Sequence, residues 1–213
     1  VDRRAHDHHT VDHHRRGRHL ELAGPAHRAG AELHVAVAAE LVAVRARGDT
    51  VADRRKIREF HFTLYAISAQ PTLLLACPGP LQSLVKDRPG LRCIALPYLS
   101  QPEFDRLLWA CDLNFVRGED SFVRAQWAGR PFVWQIYPQH DEAHHAKLQA
   151  FMTRAGLPPA WQAVWRGWNG LAPLPSPLPP LAPLLAQARQ WRAQLVAQQD
   201  LLTQLEGFLG VSS

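Results

Sequence analysis

Five short apolar runs stand between residues 60 and 137: FHFTLYAI (60–67), PTLLLACPG (71–79), LRCIALPYL (91–99), DLNFV (112–116) and PFVWQIY (131–137). Most are near-continuous rather than alternating, the pattern of a strand buried on both faces. Segments of helical spacing fall between and after them. PEFDRLLWAC (102–111) puts Phe104, Leu107, Leu108 and Cys111 on one face. A second helix is predicted over about 120–128 with Gly129 as its stop, and a third over 140–157 with Gly156 as its stop. Alternating strands and helices with short loops predict an α/β fold, a Rossmann-like parallel sheet with flanking helices.

The rest of the chain is less regular. Residues 1–58 are rich in His, Arg and Ala, and the first thirty hold hardly an aliphatic residue to offset the entropy of ordering. This segment is expected to be disordered or mistranslated. Five histidines between positions 6 and 14 have no rigid frame to make them a metal site. Within AELHVAVAAELVAVRARGD the periodicity fits a helix or a pair of strands equally. The sheet domain is placed at 59–170. Eight prolines between 158 and 183 predict a stiff, extended linker over 171–183, and 184–213 reads as a long amphipathic C-terminal helix.

A balance of 24 Lys+Arg against 19 Asp+Glu suits an anionic ligand without pointing to nucleic acid. Cys77, Cys93 and Cys111 lie in or beside apolar runs and read as reduced thiols of a cytoplasmic protein. No run approaches the roughly 20 apolar residues of a membrane span, and no signal peptide opens the chain. The chain starts at Val1 and its only methionine is Met152, so it is expected to be a fragment.

Between DLNFV and the next helix lies RGEDS (117–121), where a buried strand hands over to a helix. In open parallel sheets ligands bind at such strand ends. Gly118 lets backbone approach a ligand closely, and Arg117 offers a fork that matches phosphate oxygens. Amides at the helix start, around Asp120, Ser121 and Phe122, suit an anion. Glu119 and Asp120 would repel a bare phosphate. An ordinary helix start explains Asp120 and Ser121. A ligand with both phosphate and sugar hydroxyls explains all five residues.

The stretch LPYLSQPEFDRLLWACDLNFVRGEDSFVRAQWAGRPFVWQIYPQHDEAHHAKLQAF resembles the C-terminal domain of bacterial protein-arginine rhamnosyltransferases that modify elongation factor P. Gln101, Phe104, DRLLWACD (105–112) and NFVRGEDS (114–121) carry the resemblance. It implies the C-terminal half of a GT-B glycosyltransferase that binds dTDP-rhamnose as donor substrate and needs neither cofactor nor metal. It also implies elongation factor P as acceptor, inversion at the sugar carbon, and a catalytic Asp in an N-terminal domain. Gln101 and Phe104 would border the nucleoside, while Arg117, Glu119, Asp120 and Ser121 would hold pyrophosphate and sugar. Tyr65 stands where the family has Phe and would stack on the base. Two departures stand out: residues 1–58 hold no counterpart of the N-terminal domain, and a helix expected before PTLLLA is missing. The chain alone is therefore expected to bind donor without turnover, and no catalytic residue is assigned.

Two other readings were open to the residues. One is a transferase of the same fold using another nucleotide sugar. The other is a non-catalytic module binding nucleic acid or metal, with Trp161, Trp165 and Trp168 as stacking residues. Helix spacing favours those tryptophans as core. His140, Asp141, His144 and His145 read as a solvated helix start. No nucleic-acid or membrane partner is expected.

Overall fold

The computed structural model describes residues 33–38, 71–79, 82, 85–139 and 142–210. The strand expected over 60–67, with Tyr65, lies outside these residues, as do His140 and Asp141. Strands β1 (Leu33–Ala38), β2 (Thr72–Ala76), β3 (Leu91–Ala95), β4 (Leu113–Arg117) and β5 (Phe132–Gln135) form one sheet in the order β3-β2-β1-β4-β5. Every pairing is parallel, with Val35 opposite Leu74 on one side and opposite Leu113 on the other. The α/β expectation holds.

The sheet begins upstream of residue 59, where the sequence reading had placed its start. Leu33–Ala38 is the central strand, which settles the helix-or-strand ambiguity of that stretch. From β1 the chain builds β2 and β3 on one side, then crosses to add β4 and β5 on the other. The order reverses between β1 and β4, the kind of switch point at whose carboxyl edge open α/β sheets take ligands.

Burial on both faces accounts for the apolar runs. All of Thr72–Ala76 is buried, with Leu73 and Leu75 in one apolar cluster and Leu74 and Ala76 in the other. The helices covering the sheet are α1 (Gln101–Ala110), α2 (Glu119–Ala128), α3 (Ala143–Arg154), α4 (Pro159–Trp168) and α5 (Leu181–Val196). Leu107 and Cys111 pack in the smaller cluster. The larger is built around Trp134, Trp161 and Trp165, all buried. Phe122 stacks on Trp134 at 3.9 Å between ring centroids, and Phe151 stacks on Trp165 at 5.5 Å. Truncating a ring of this kind to alanine costs about 3–5 kcal/mol. Trp161, Trp165 and Trp168 are thus core residues and offer no stacking platform.

The proline-rich segment is not a free spacer. Leu174 and Leu178 pack on the larger cluster, and the Trp161 indole donates to the Pro180 carbonyl at 3.0 Å. The segment passes so close to α4 that a Cβ on Gly167 would lie 2.7 Å from the Leu174 Cα. Asn169 ties α4 to β5: its amide nitrogen donates to the Trp134 carbonyl and its oxygen accepts from the Ile136 amide.

The long C-terminal helix is two helices, α5 and α6 (Leu201–Leu209), separated where Asp200 caps α6 by accepting from the Thr203 amide at 3.0 Å. Helix α5 buries Leu184, Ala188 and Trp191, whereas α6 buries none of its residues. The three cysteines form no disulfide, and burial pushes the thiols of Cys77 and Cys93 up to about 11. No helix among the described residues is long and apolar enough to cross a membrane.

Candidate functional site

The carboxyl edge of the sheet collects three strand-to-helix junctions. Residues 96–100 join β3 to α1, Gly118 alone joins β4 to α2, and residues 136–142 join β5 to α3. Because the strands are parallel, these junctions share one edge, and β4 borders the point where the strand order reverses.

Arg117 is the last residue of β4 and only 9% exposed, with its guanidinium carbon 4.6 Å above the Tyr137 ring. The next residue has φ 77° and ψ 176°, a conformation that is essentially closed to any residue but glycine. Space enforces the same choice, since a Cβ on Gly118 would lie 2.9 Å from Tyr137 Cε2. The Gly118 carbonyl accepts from the Trp134 indole at 3.1 Å and from the Phe122 amide at 3.3 Å. The sequence reading counted the Phe122 amide among those facing a ligand, but it is the first closed hydrogen bond of α2. The amides of Glu119, Asp120 and Ser121 precede it and have no intrahelical acceptor.

The two acids that made the junction puzzling are each met by a cation. Glu119 accepts from Lys147 of α3 at 2.8 Å. Asp120 accepts from Arg124 at 3.1 Å, and Arg124 also donates to both carboxylate oxygens of Asp105 in α1 at 3.0 Å. Hydrogen bonds to Asp105 first, and to Asp120 second, push the Arg124 pKa above its ordinary value. Both acid–base pairs at the rim are exposed on at least one side, so water and salt weaken them and a ligand hydroxyl can compete.

Gln101 opens α1 and is exposed, while Phe104, one turn on, is half-buried against both apolar clusters. The fold thus brings Gln101, Phe104, Arg117, Gly118, Glu119, Asp120 and Ser121 to one edge, on two neighbouring helix starts.

Sequence reasoning missed Tyr98, Tyr137 and Lys147. Tyr98 is 91% exposed in the loop that leads into Gln101, available to stack on a flat base. Tyr137 follows the carboxyl end of β5, so the strand-end rule applied to β4 would have found it. Lys147 had no signal, because only packing of α3 beside α2 brings it to Glu119. Among the described residues no group of three or more His, Cys, Asp and Glu is placed to hold a metal ion.

Comparison with known proteins places the chain in a family. Residues 54–210 match the family model for the elongation-factor P (EF-P) rhamnosyltransferase EarP. A protein-arginine rhamnosyltransferase of Pseudomonas putida is 47% identical over 141 residues, 61% of this chain and 37% of that protein. One from Pseudomonas aeruginosa is 38% identical over 193 residues, 73% of this chain and 51% of that protein. A solved structure described as the structural basis for EarP-mediated arginine glycosylation of translation elongation factor EF-P superposes with a TM-score of 0.56 at 31% identity, covering 85% of this chain and 61% of that one. The chain spans about a third to a half of the curated relatives it matches. With the family model matched over residues 54–210, the chain belongs to the EF-P rhamnosyltransferase family EarP.

Proposed function

We propose that this chain is the donor-binding part of a GT-B glycosyltransferase that moves rhamnose, with inversion, from dTDP-rhamnose to an arginine of elongation factor P. One observation carries the reading: a buried arginine and an uncapped, glycine-led helix start sit together at the carboxyl end of β4, beside the switch in strand order. The Arg117 fork and the amides of Glu119, Asp120 and Ser121 bind the pyrophosphate, assisted by the positive end of α2. Ser121 adds a hydroxyl donor. Glu119 and Asp120 exchange their lysine and arginine partners for sugar hydroxyls, which supply the hydrogen bonds that a bare phosphate could not. Gln101, Phe104 and the exposed ring of Tyr98 border the thymidine.

No residue of the chain is assigned the task of activating the acceptor arginine. Its matches to the two Pseudomonas relatives span 37% and 51% of those proteins, and donor binding without turnover is the outcome this reading expects of the chain alone. Calorimetric titration with dTDP-rhamnose beside UDP-glucose tests the reading. Saturable binding selective for the thymidine sugar is expected, with no rhamnose transferred to added elongation factor P. A preference for UDP-glucose would make the chain part of a different nucleotide-sugar transferase. A folded chain that binds neither sugar nucleotide would overturn the donor site altogether.

A further inference from the structure

Arg124 lies one turn after Asp120 on α2, and its contacts exceed what a local surface pair needs. Its Nη1 donates to both oxygens of Asp105 at 3.0 Å, and its Nε donates to Asp120 Oδ2 at 3.1 Å. Asp105 follows Phe104 near the start of α1, while Asp120 is in the first turn of α2. One guanidinium therefore joins the leading parts of the two helices that start at the carboxyl edge of the sheet. The inner part of the joint is sheltered: the Arg124 and Asp105 side chains are 22% and 31% exposed, against 77% for Asp120.

Separation of the two helix starts matters for a ligand that reaches both. When two parts of one molecule bind two surfaces, the second contact forms at an effective concentration set by how well spacing and reach agree. Drift of one surface lowers that concentration while each part keeps its own affinity. We propose that Arg124 is a positioning residue that fixes the spacing of the α1 and α2 starts, so that a nucleoside diphosphate meets both at once. This rests on the donor site proposed above, with the nucleoside at α1 and the pyrophosphate at α2. It assigns Arg124 and Asp105 no contact with the ligand.

The test is calorimetric titration of the chain and its Arg124→Gln, Arg124→Lys and Asp105→Ala variants with dTDP and, separately, inorganic pyrophosphate. Thermal melts establish that each variant is folded. Arg124→Gln and Asp105→Ala are each expected to weaken dTDP about tenfold while pyrophosphate changes by less than about twofold. Arg124→Lys, which keeps the charge but reaches one carboxylate at a time, should recover part of the loss. If Arg124→Gln does not fold, Asp105→Ala, which leaves all of α2 intact, decides alone. Unchanged dTDP affinity in the folded variants would overturn the positioning role. Equal losses for dTDP and pyrophosphate would overturn it too, because Arg124 would then act on the anion cradle alone. Failure of the unmodified chain to bind dTDP would overturn the donor site and this role with it.

Discussion

Two helices start at the same edge of the sheet, and they start differently. Helix α1 follows a five-residue loop whose last member, Ser100, is met by its own helix: Glu103 accepts from the Ser100 amide at 2.8 Å and from its hydroxyl at 2.7 Å. Helix α2 follows a single glycine, with no side-chain cap and a buried arginine immediately before it. Free amides at a helix start are a cost that proteins ordinarily remove with a cap. The start of α1 meets it from within, and the start of α2 leaves it to a partner. The start of α1 is thus closed by its own side chains, whereas the start of α2 is the one proposed to receive an anion.

Four substitutions sharpen or break this contrast, in descending order of effect. Gly118→Val forces a side chain into a glycine-only conformation and against Tyr137. It should cost about 3 kcal/mol in denaturant unfolding and eliminate sugar-nucleotide binding. Arg117→Lys keeps the charge but loses the fork, and calorimetry should show donor affinity down about thirtyfold with stability little changed. Asp120→Ala removes the proposed hydroxyl acceptor and should weaken dTDP-rhamnose about tenfold; unchanged affinity in a folded variant would count against that contact. At the other helix, Ser100→Ala should cost about 1 kcal/mol of stability and leave donor affinity within about twofold. A larger binding loss there than at Asp120 would erase the contrast.

The parts of the fold that sequence revealed are those with local causes. Strands β2, β4 and β5 announce themselves because burial on both faces demands mostly apolar residues, as in Leu73–Ala76. Gly129 ends α2 at φ 62°, where glycine is favoured. The RGEDS junction was legible because a glycine between a strand and a helix has few other uses. What escaped depends on tertiary context. LHVAVA is short and flanked by Ala and Glu, which suit a helix as well, so only pairing on both sides makes it the central strand. The proline segment reads as a spacer until Trp161 and Gly167 are seen to hold it down. The division of the last helix did leave a sign, Asp200 three residues before Thr203, which the longer apolar periodicity obscured. At the site, the acids were found but not their cations, since Lys147 reaches Glu119 from another helix and Arg124, one turn after Asp120, is shared with Asp105 of α1.

The central claim, that the start of α2 and not that of α1 receives the anion, is tested most directly by amide shifts of the ¹⁵N-labelled chain titrated with inorganic pyrophosphate. The amides of Gly118, Glu119, Asp120 and Ser121 should move furthest and saturate together, while those of Ser100 and Glu103 in the self-capped start move little. Saturating shifts centred on residues 100–104 with 118–121 unmoved would contradict the claim.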